Sequence, residues 1–144
     1  MAGYGIVEYN GKKYFEKYHV YPASVTLTAL QLLSNQRVVM QGEADFLLKD
    51  IRASATGSGN LASFELRLGN SDGSWYTQAG VGGTNDRVLG SLLFGDGQFP
   101  GLVWPYIMFS RTGAITYDIK ELANGANTVT FAFVGSLIWE VANG

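Results

Sequence analysis

Leu61-Ala62-Ser63-Phe64-Glu65-Leu66-Arg67-Leu68 decides the fold class of this chain. Along an extended backbone Phe64, Leu66 and Leu68 point one way, while Ser63, Glu65 and Arg67 point the other. A strict two-residue period of this kind marks a strand with one face on a core and one in water. The same rhythm recurs outward from it. Val25-Thr26-Leu27-Thr28-Ala29 and Ile115-Thr116-Tyr117-Asp118-Ile119 alternate. Thr128 to Trp139 makes a long last strand with Val129, Phe131 and Phe133 on one face, and Gly135 marks a bulge there. Phe46-Leu47-Leu48 is apolar on both faces before Ile51-Arg52-Ala53 alternates, which predicts a strand buried more deeply at its start. Shorter strands are expected at Arg37–Met40, from Trp75-Tyr76-Thr77, and at Tyr106–Phe109.

The connections carry turn chemistry. Ser34-Asn35-Gln36, Asn70-Ser71-Asp72-Gly73, Gly95-Asp96-Gly97, Arg111-Thr112-Gly113 and Asn124–Asn127 read as turns, and Thr56–Asn60 and Ala79–Arg87 as glycine-rich loops. Leu30–Leu33 is ambiguous and fits one helical turn. Pro100 and Pro105 bracket Leu102-Val103-Trp104. Many short strands without long amphipathic helices between them exclude a parallel α/β sheet and predict an all-β antiparallel β-sandwich, with a jelly roll as the topology expected within that class.

The first 21 residues stand apart, because they hold Tyr4, Tyr9, Tyr14, Tyr18 and Tyr21, five of the eight tyrosines. Ile6–Tyr9, Asn10-Gly11 and Lys12–Phe15 form a hairpin signal, since Asn-Gly supplies the positive φ angles of a type I′ turn. Tyr21-Pro22 reads as a break. This divides the chain into an aromatic N-terminal hairpin or arm over residues 1–22 and a sandwich domain over 23–144. Tyr4, Ile6, Tyr9, Tyr14, Phe15, Tyr18 and Tyr21 are its candidate partner-binding residues, because amphipathic aromatics near a terminus suit packing on a neighbour.

The 144 residues suffice for one domain with its own core. Charged residues are only 15% and hydrophobic ones 47%, so the surface is clad in uncharged polar groups or partly covered by partners. The net charge is −2, and the densest basic group, Lys12, Lys13 and Lys17, is interleaved with Glu8 and Glu16, so no nucleic-acid interaction is expected. With no cysteine, disulfides, thiolate metal sites and cysteine nucleophiles are excluded. No run reaches the roughly 18 apolar residues of a membrane helix, so no membrane partner is expected. The opening residues lack the order of a secretion signal, and the chain is expected to be made in the cytoplasm and used whole.

No catalytic constellation emerges, and the expectation is a non-enzyme without metal or cofactor. His19 is the only histidine and fits a packed or surface role. Asp72, Asp86 and Asp96 sit in glycine-rich loops; turn chemistry accounts for them more simply than Ca²⁺ binding or a glycosidase pair. Gly80–Thr84 lacks the lysine of a phosphate loop. Trp75-Tyr76 and Trp104-Pro105-Tyr106 suit core anchors, a protein interface or a sugar platform, in that order. Arg111, in the turn after Phe109, suits solvent or a bridge to a neighbouring chain.

From Ala44 to Trp139 the chain resembles the capsid cement, or decoration, proteins of tailed bacteriophages. The resemblance lies in Ala44-Asp45-Phe46 leading into Ile51-Arg52-Ala53-Ser54, Leu93-Phe94-Gly95, Leu102 through Pro105, Ser110-Arg111-Thr112-Gly113-Ala114-Ile115, and Asn127-Thr128-Val129 with Phe133-Val134-Gly135-Ser136-Leu137. It implies a jelly-roll-like virion protein on the outer capsid surface, a homo-oligomer on the particle, with the major capsid protein and other copies of itself as partners. Its function would be to stabilise the assembled shell. A phage-type carbohydrate- or receptor-binding module, using Trp75, Tyr76 and the loop to Arg87, is the alternative, as is another head or tail structural protein.

Overall fold

The computed structural model describes residues 4–56, 61–83, 85–93 and 101–142. The expected turn Gly95-Asp96-Gly97, the expected loop Thr56–Asn60 apart from Thr56, and Pro100 lie outside the described residues, as does the side chain of Trp104. Nine strands are described: β1 (Gly5–Tyr9), β2 (Lys12–Leu27), β3 (Leu32–Val39), β4 (Asp45–Ala55), β5 (Phe64–Asn70), β6 (Val88–Leu89), β7 (Gly101–Phe109), β8 (Ala114–Glu121) and β9 (Asn127–Glu140). A 3₁₀ turn at Leu61–Ser63 and one helical turn, α1 (Gly90–Leu93), are the described helical pieces.

The strands form two antiparallel sheets, one of five strands in the order β1-β2-β9-β4-β7 and one of four in the order β3-β8-β5-β6. The core lies between them. Phe46, Leu48, Phe109, Val129, Phe131 and Phe133 come from the first sheet, and Phe64, Leu66, Ile115, Tyr117 and Ile119 from the second. The two-residue period holds from Phe64 onward, where Phe64, Leu66 and Leu68 are buried while Glu65 and Arg67 are not; Leu61–Ser63 is instead a 3₁₀ turn, and Ser63, expected on the water side, is buried. Each fully buried Phe or Leu contributes on the order of 1.5–3 kcal/mol of transfer free energy.

Several local expectations are corrected. The Asn10-Gly11 turn forms with φ of 48° and 76°, but the strand after it does not stop at Pro22. β2 pairs with β9 without interruption from Tyr14↔Glu140 to Leu27↔Asn127, so the N-terminal segment is an integral part of the sandwich and no boundary falls at residue 22. The pairing of β1 with β2 ends at Gly5↔Glu16, and among the described residues no strand pairs with that side of β2 beyond it. An open edge is where a strand tolerates the missing N–H of proline. Ser34–Gln36 is a bulge inside β3, with Asn35 at φ 57° and its N–H donated to Asp118 Oδ1 at 2.8 Å, and Leu32 and Leu33 belong to that strand. Trp75 makes only an isolated bridge to Gly69, so no strand starts there. Pro105 does not end β7, which shifts register between Ile107 and Leu102 and absorbs the proline in that irregularity.

The bulge expected at Gly135 belongs to the facing strand. β4 pairs Leu48↔Gly135 and then Asp50↔Val134, so Lys49 is the extra residue. Gly135 permits it by leaving room for the β4 backbone: a Cβ there would lie 2.0 Å from Leu47 O.

Candidate interaction surfaces

The five-stranded sheet narrows at one end. Pairing of β4 with β9 begins at Asp45↔Ile138, whereas β2 continues to Phe15↔Trp139 and Tyr14↔Glu140 and β1 lies outside β2. This end is a three-stranded ribbon with β1 as an open edge. Alternation puts Ile6, Phe15 and Trp139 in one row on the core-facing side. The Tyr4 ring packs edge-on against Trp139 at 5.4 Å, and Ile6 is 56% exposed. Tyr18, two residues past the last β1–β2 pair, projects from the opposite side of β2, 72% exposed. Arg111 lines a shallow depression with Glu43, Trp139 and Glu140, and its own N–H is fixed by Asp45 Oδ1 at 2.9 Å.

The outer side of this sheet carries a second apolar cluster. Tyr14, Leu47 and Ile138 are buried there, with Val7, Tyr9, Tyr106 and Met108 packed against them. Leu47 has no exposed surface although it points away from the main core. The bulge at Lys49 serves this cluster. The Lys49 ammonium lies 5.4 Å from the Tyr106 ring centroid and pairs with Glu16, whose carboxylate also accepts a hydrogen bond from the Ser136 hydroxyl at 2.8 Å. Burial pushes the Glu16 carboxyl up, but the Lys49 and Ser136 hydrogen bonds and the Lys49 charge outweigh it and hold the pKa below its ordinary value.

Of the seven N-terminal candidates, then, Tyr14 and Tyr21 are buried in the chain's own body. Tyr21 stacks edge-on to Phe46 at 4.9 Å and accepts the Gln41 N–H at 3.2 Å. Tyr9, Phe15 and Tyr4 are half-buried, and Ile6 and Tyr18 remain exposed. His19 packs edge-on to Tyr21 at 4.5 Å, with no partner for Nε2 among the described residues.

The aromatics of the body separate. Tyr76 turns onto Phe109 at 6.2 Å, and its hydroxyl accepts a hydrogen bond from Asn70 Nδ2 at 3.1 Å. Trp75 lies on the outward face of the four-stranded sheet, with the Arg67 guanidinium 3.7 Å from its ring centroid. Asp86 accepts the Ala79 N–H at 2.7 Å and pairs with Arg67, and Asp72 accepts the Ser74 N–H at 2.8 Å, so both carboxylates close loops. Among the described residues no group of three His, Asp or Glu side chains is placed to hold a metal ion. Among the described residues no helix is long and apolar enough to cross a membrane.

Leu47, Ile138, Met108 and Trp139 were not singled out from the sequence as surface-building residues. The run of apolar residues on both faces at Phe46–Leu48 was the available signal for the first of them. Arg37 and Thr116, neighbours of Trp75, had none, because only strand register brings them together. No family model, no curated protein and no solved structure matches the chain.

Proposed function

We propose that this chain is a structural adhesion protein of a virion, a capsid cement or decoration protein that docks on the assembled major capsid shell and stabilises it by protein–protein contact. The observation that carries this reading is the ribbon of β1, β2 and β9. It exposes Ile6 on one side, with Tyr18 exposed on the other side of β2 two residues past the last β1 pair, and ends in a strand edge at Gly5–Tyr9 that is open among the described residues. An open edge flanked by apolar side chains is the geometry that accepts a strand from another chain, with main-chain hydrogen bonds for affinity and side-chain pockets for register. Low charge on the chain favours such packing.

The strand order supports the jelly-roll expectation. β2-β9-β4-β7 faces β3-β8-β5-β6, and the chain changes sheet at every step from β2 to β9 except β5 to β6. Two interlocked Greek keys of eight strands have this order, an architecture shared by viral capsid and lectin domains. The role is additive: each copy buries a patch across a subunit joint on the outer surface, beside further copies of itself.

Loading onto undecorated capsids tests the reading. Ile6→Lys and Tyr18→Glu alter exposed positions, so both variants fold, and the double variant loses at least tenfold in occupancy per particle. Deleting residues 1–21 is unsuitable, because it removes half of β2 from its pairing with β9. Normal loading of the folded double variant refutes the docking role of the ribbon.

A further inference from the structure

The outward face of the four-stranded sheet carries a second site, unrelated to the ribbon. Strand register aligns Gly69, Thr116 and Arg37 in one row across β5, β8 and β3. Trp75 bridges to Gly69 at the end of that row. A Cβ at position 69 would lie 2.7 Å from Trp75 Cε3, so the missing side chain is what lets the indole lie close over the strand. Arg67 stacks on the ring and is itself tied to Asp86 at 3.6 Å. The indole is thus clamped in place before any ligand arrives.

A depression of about 270 Å³ adjoins it, lined by Trp75, Arg37, Thr116, Asn35, Asn70 and Ser71. Asn70 and Ser71 are fixed by the chain: Asn70 donates to the Tyr76 hydroxyl, and Ser71 Oγ accepts the Ala114 N–H at 2.9 Å. Arg37, by contrast, is exposed and makes no ion pair among the described residues. The nearby carboxylates are engaged: Asp118 by the Asn35 N–H, Asp86 by Arg67 and Asp72 by Ser74.

We infer that this depression binds a single carboxylate-bearing sugar residue of a glycan, such as a hexuronate. A pyranose presents an apolar C–H face and a rim of hydroxyls. The fixed indole meets the first, and the Thr116 hydroxyl and Asn35 amide meet the second. The Arg37 guanidinium takes the carboxylate in a two-point hydrogen-bonded pair, the geometry for which arginine is suited. The volume fits one ring and falls below the roughly 300–1,000 Å³ of pockets for drug-sized ligands. Openness suits an internal residue of a polymer, whose neighbours must leave the site at both ends.

An array of acidic and neutral bacterial glycans, followed by tryptophan-fluorescence titration with the best oligosaccharide, tests this. Binding is expected for uronate-bearing glycans, at least tenfold weaker for their neutral counterparts. Arg37→Gln, at an exposed position that leaves the fold intact, abolishes that preference, and Trp75→Ala abolishes binding. The Ile6→Lys, Tyr18→Glu variant binds as the parent does, which separates this site from capsid docking. Silence across the acidic glycans overturns the inference. So does equal binding of neutral ones, an undiminished preference in Arg37→Gln, or binding of a single-stranded oligonucleotide at the indole in place of sugar.

Discussion

Gly135→Ala is the most demanding perturbation this fold offers. Gly135 sits in the middle of β9, between His19 on β2 and Leu48 on β4. The added Cβ would lie 2.0 Å from Leu47 O, 3.0 Å from Leu47 C and 3.1 Å from Phe46 Cζ. Ordinary contact begins at 3.4 Å, so the first distance falls short by about 1.4 Å. The opposing atom is backbone, and no rotamer change moves it. Strands held about 4.7–4.9 Å apart by N–H···O bonds of about 2.9–3.0 Å cannot separate that far and keep those bonds. The cost combines overpacking, about 1–3 kcal/mol, with the loss of one or two ladder bonds at about 1 kcal/mol each. A total of about 2–5 kcal/mol is a large share of the roughly 5–15 kcal/mol that stabilises a domain. Tm should fall by about 7–17 °C. Gly125→Ala is the matched control, because a Cβ there meets nothing within 4 Å. Its stability should change by no more than about 0.5 kcal/mol. Thermal and urea unfolding followed by circular dichroism decide the matter. A Gly135→Ala protein melting within about 2 °C of the parent would show that the β4 bulge is not held by this glycine, and the reasoning would fail.

Glu121 is fully buried and accepts the N–H groups of Leu30, Ala123 and Asn124 at 2.8, 2.6 and 2.9 Å. Burial raises its pKa, but these bonds, with that from Gly125, outweigh it and hold the carboxyl below 4.5. The depressed folded-state value means that its stabilisation is complete above the unfolded pKa and is lost as pH falls through the folded one. Urea midpoints should therefore drop below about pH 4.5, with a smaller drop in Glu121→Gln, which itself loses about 2–3 kcal/mol at pH 7. Leu30 is exposed at φ 57°, so Leu30→Gly should raise stability by about 0.5–1 kcal/mol, the left-handed strain relieved less the added chain entropy. A lower melting temperature for Leu30→Gly would refute that account. Leu47→Ala should cost about 2–4 kcal/mol although Leu47 points away from the main core, whereas Thr130→Ala on the same side should cost at most about 0.5 kcal/mol; equal losses in chemical denaturation would dissolve the second cluster.

Strand existence was legible wherever one face meets the core and the other meets water. β5, β8 and β9 show this, because burial of alternate residues is the same physical fact that patterns the sequence. The Asn10-Gly11 turn was legible because its conformation is a local property of those two residues. Pro22 misled, since proline breaks a strand only where its N–H is needed, and whether a neighbour needs it depends on where β1 ends. Asn35 misled in the same way: its positive φ serves a bulge inside β3, not a reversal of the chain. Of the candidate surfaces, the aromatic content of residues 4–21 was visible, but its division into buried Tyr14 and Tyr21 and exposed Ile6 and Tyr18 was not. That division follows from register against β9, more than 100 residues away in the chain. The neighbourhood of Trp75 was invisible for the same reason.

The second cluster ties the ribbon to the rest of the molecule. A three-stranded ribbon extending beyond β4 would twist and fray if one side were merely wet, because an isolated strand pair is marginal in water. Here the outer side gains its own apolar packing, in which Tyr14 of β2 and Ile138 of β9 meet Leu47 of β4. The extra residue Lys49 closes the cluster over Tyr106 and reaches back to Glu16 on β2. With Val7 and Tyr9 of β1, all five strands of the sheet are thereby braced from the side away from the core, and Gly135 supplies the close approach that makes the bulge possible. A surface held this rigidly loses little conformational entropy on docking, so the exposed Ile6 and Tyr18 can meet a partner at low ordering cost. Loosening the brace with Lys49→Ala should accordingly weaken capsid loading through faster dissociation, even though neither Ile6 nor Tyr18 is altered. Unchanged dissociation in that variant would mean that the ribbon docks without being braced.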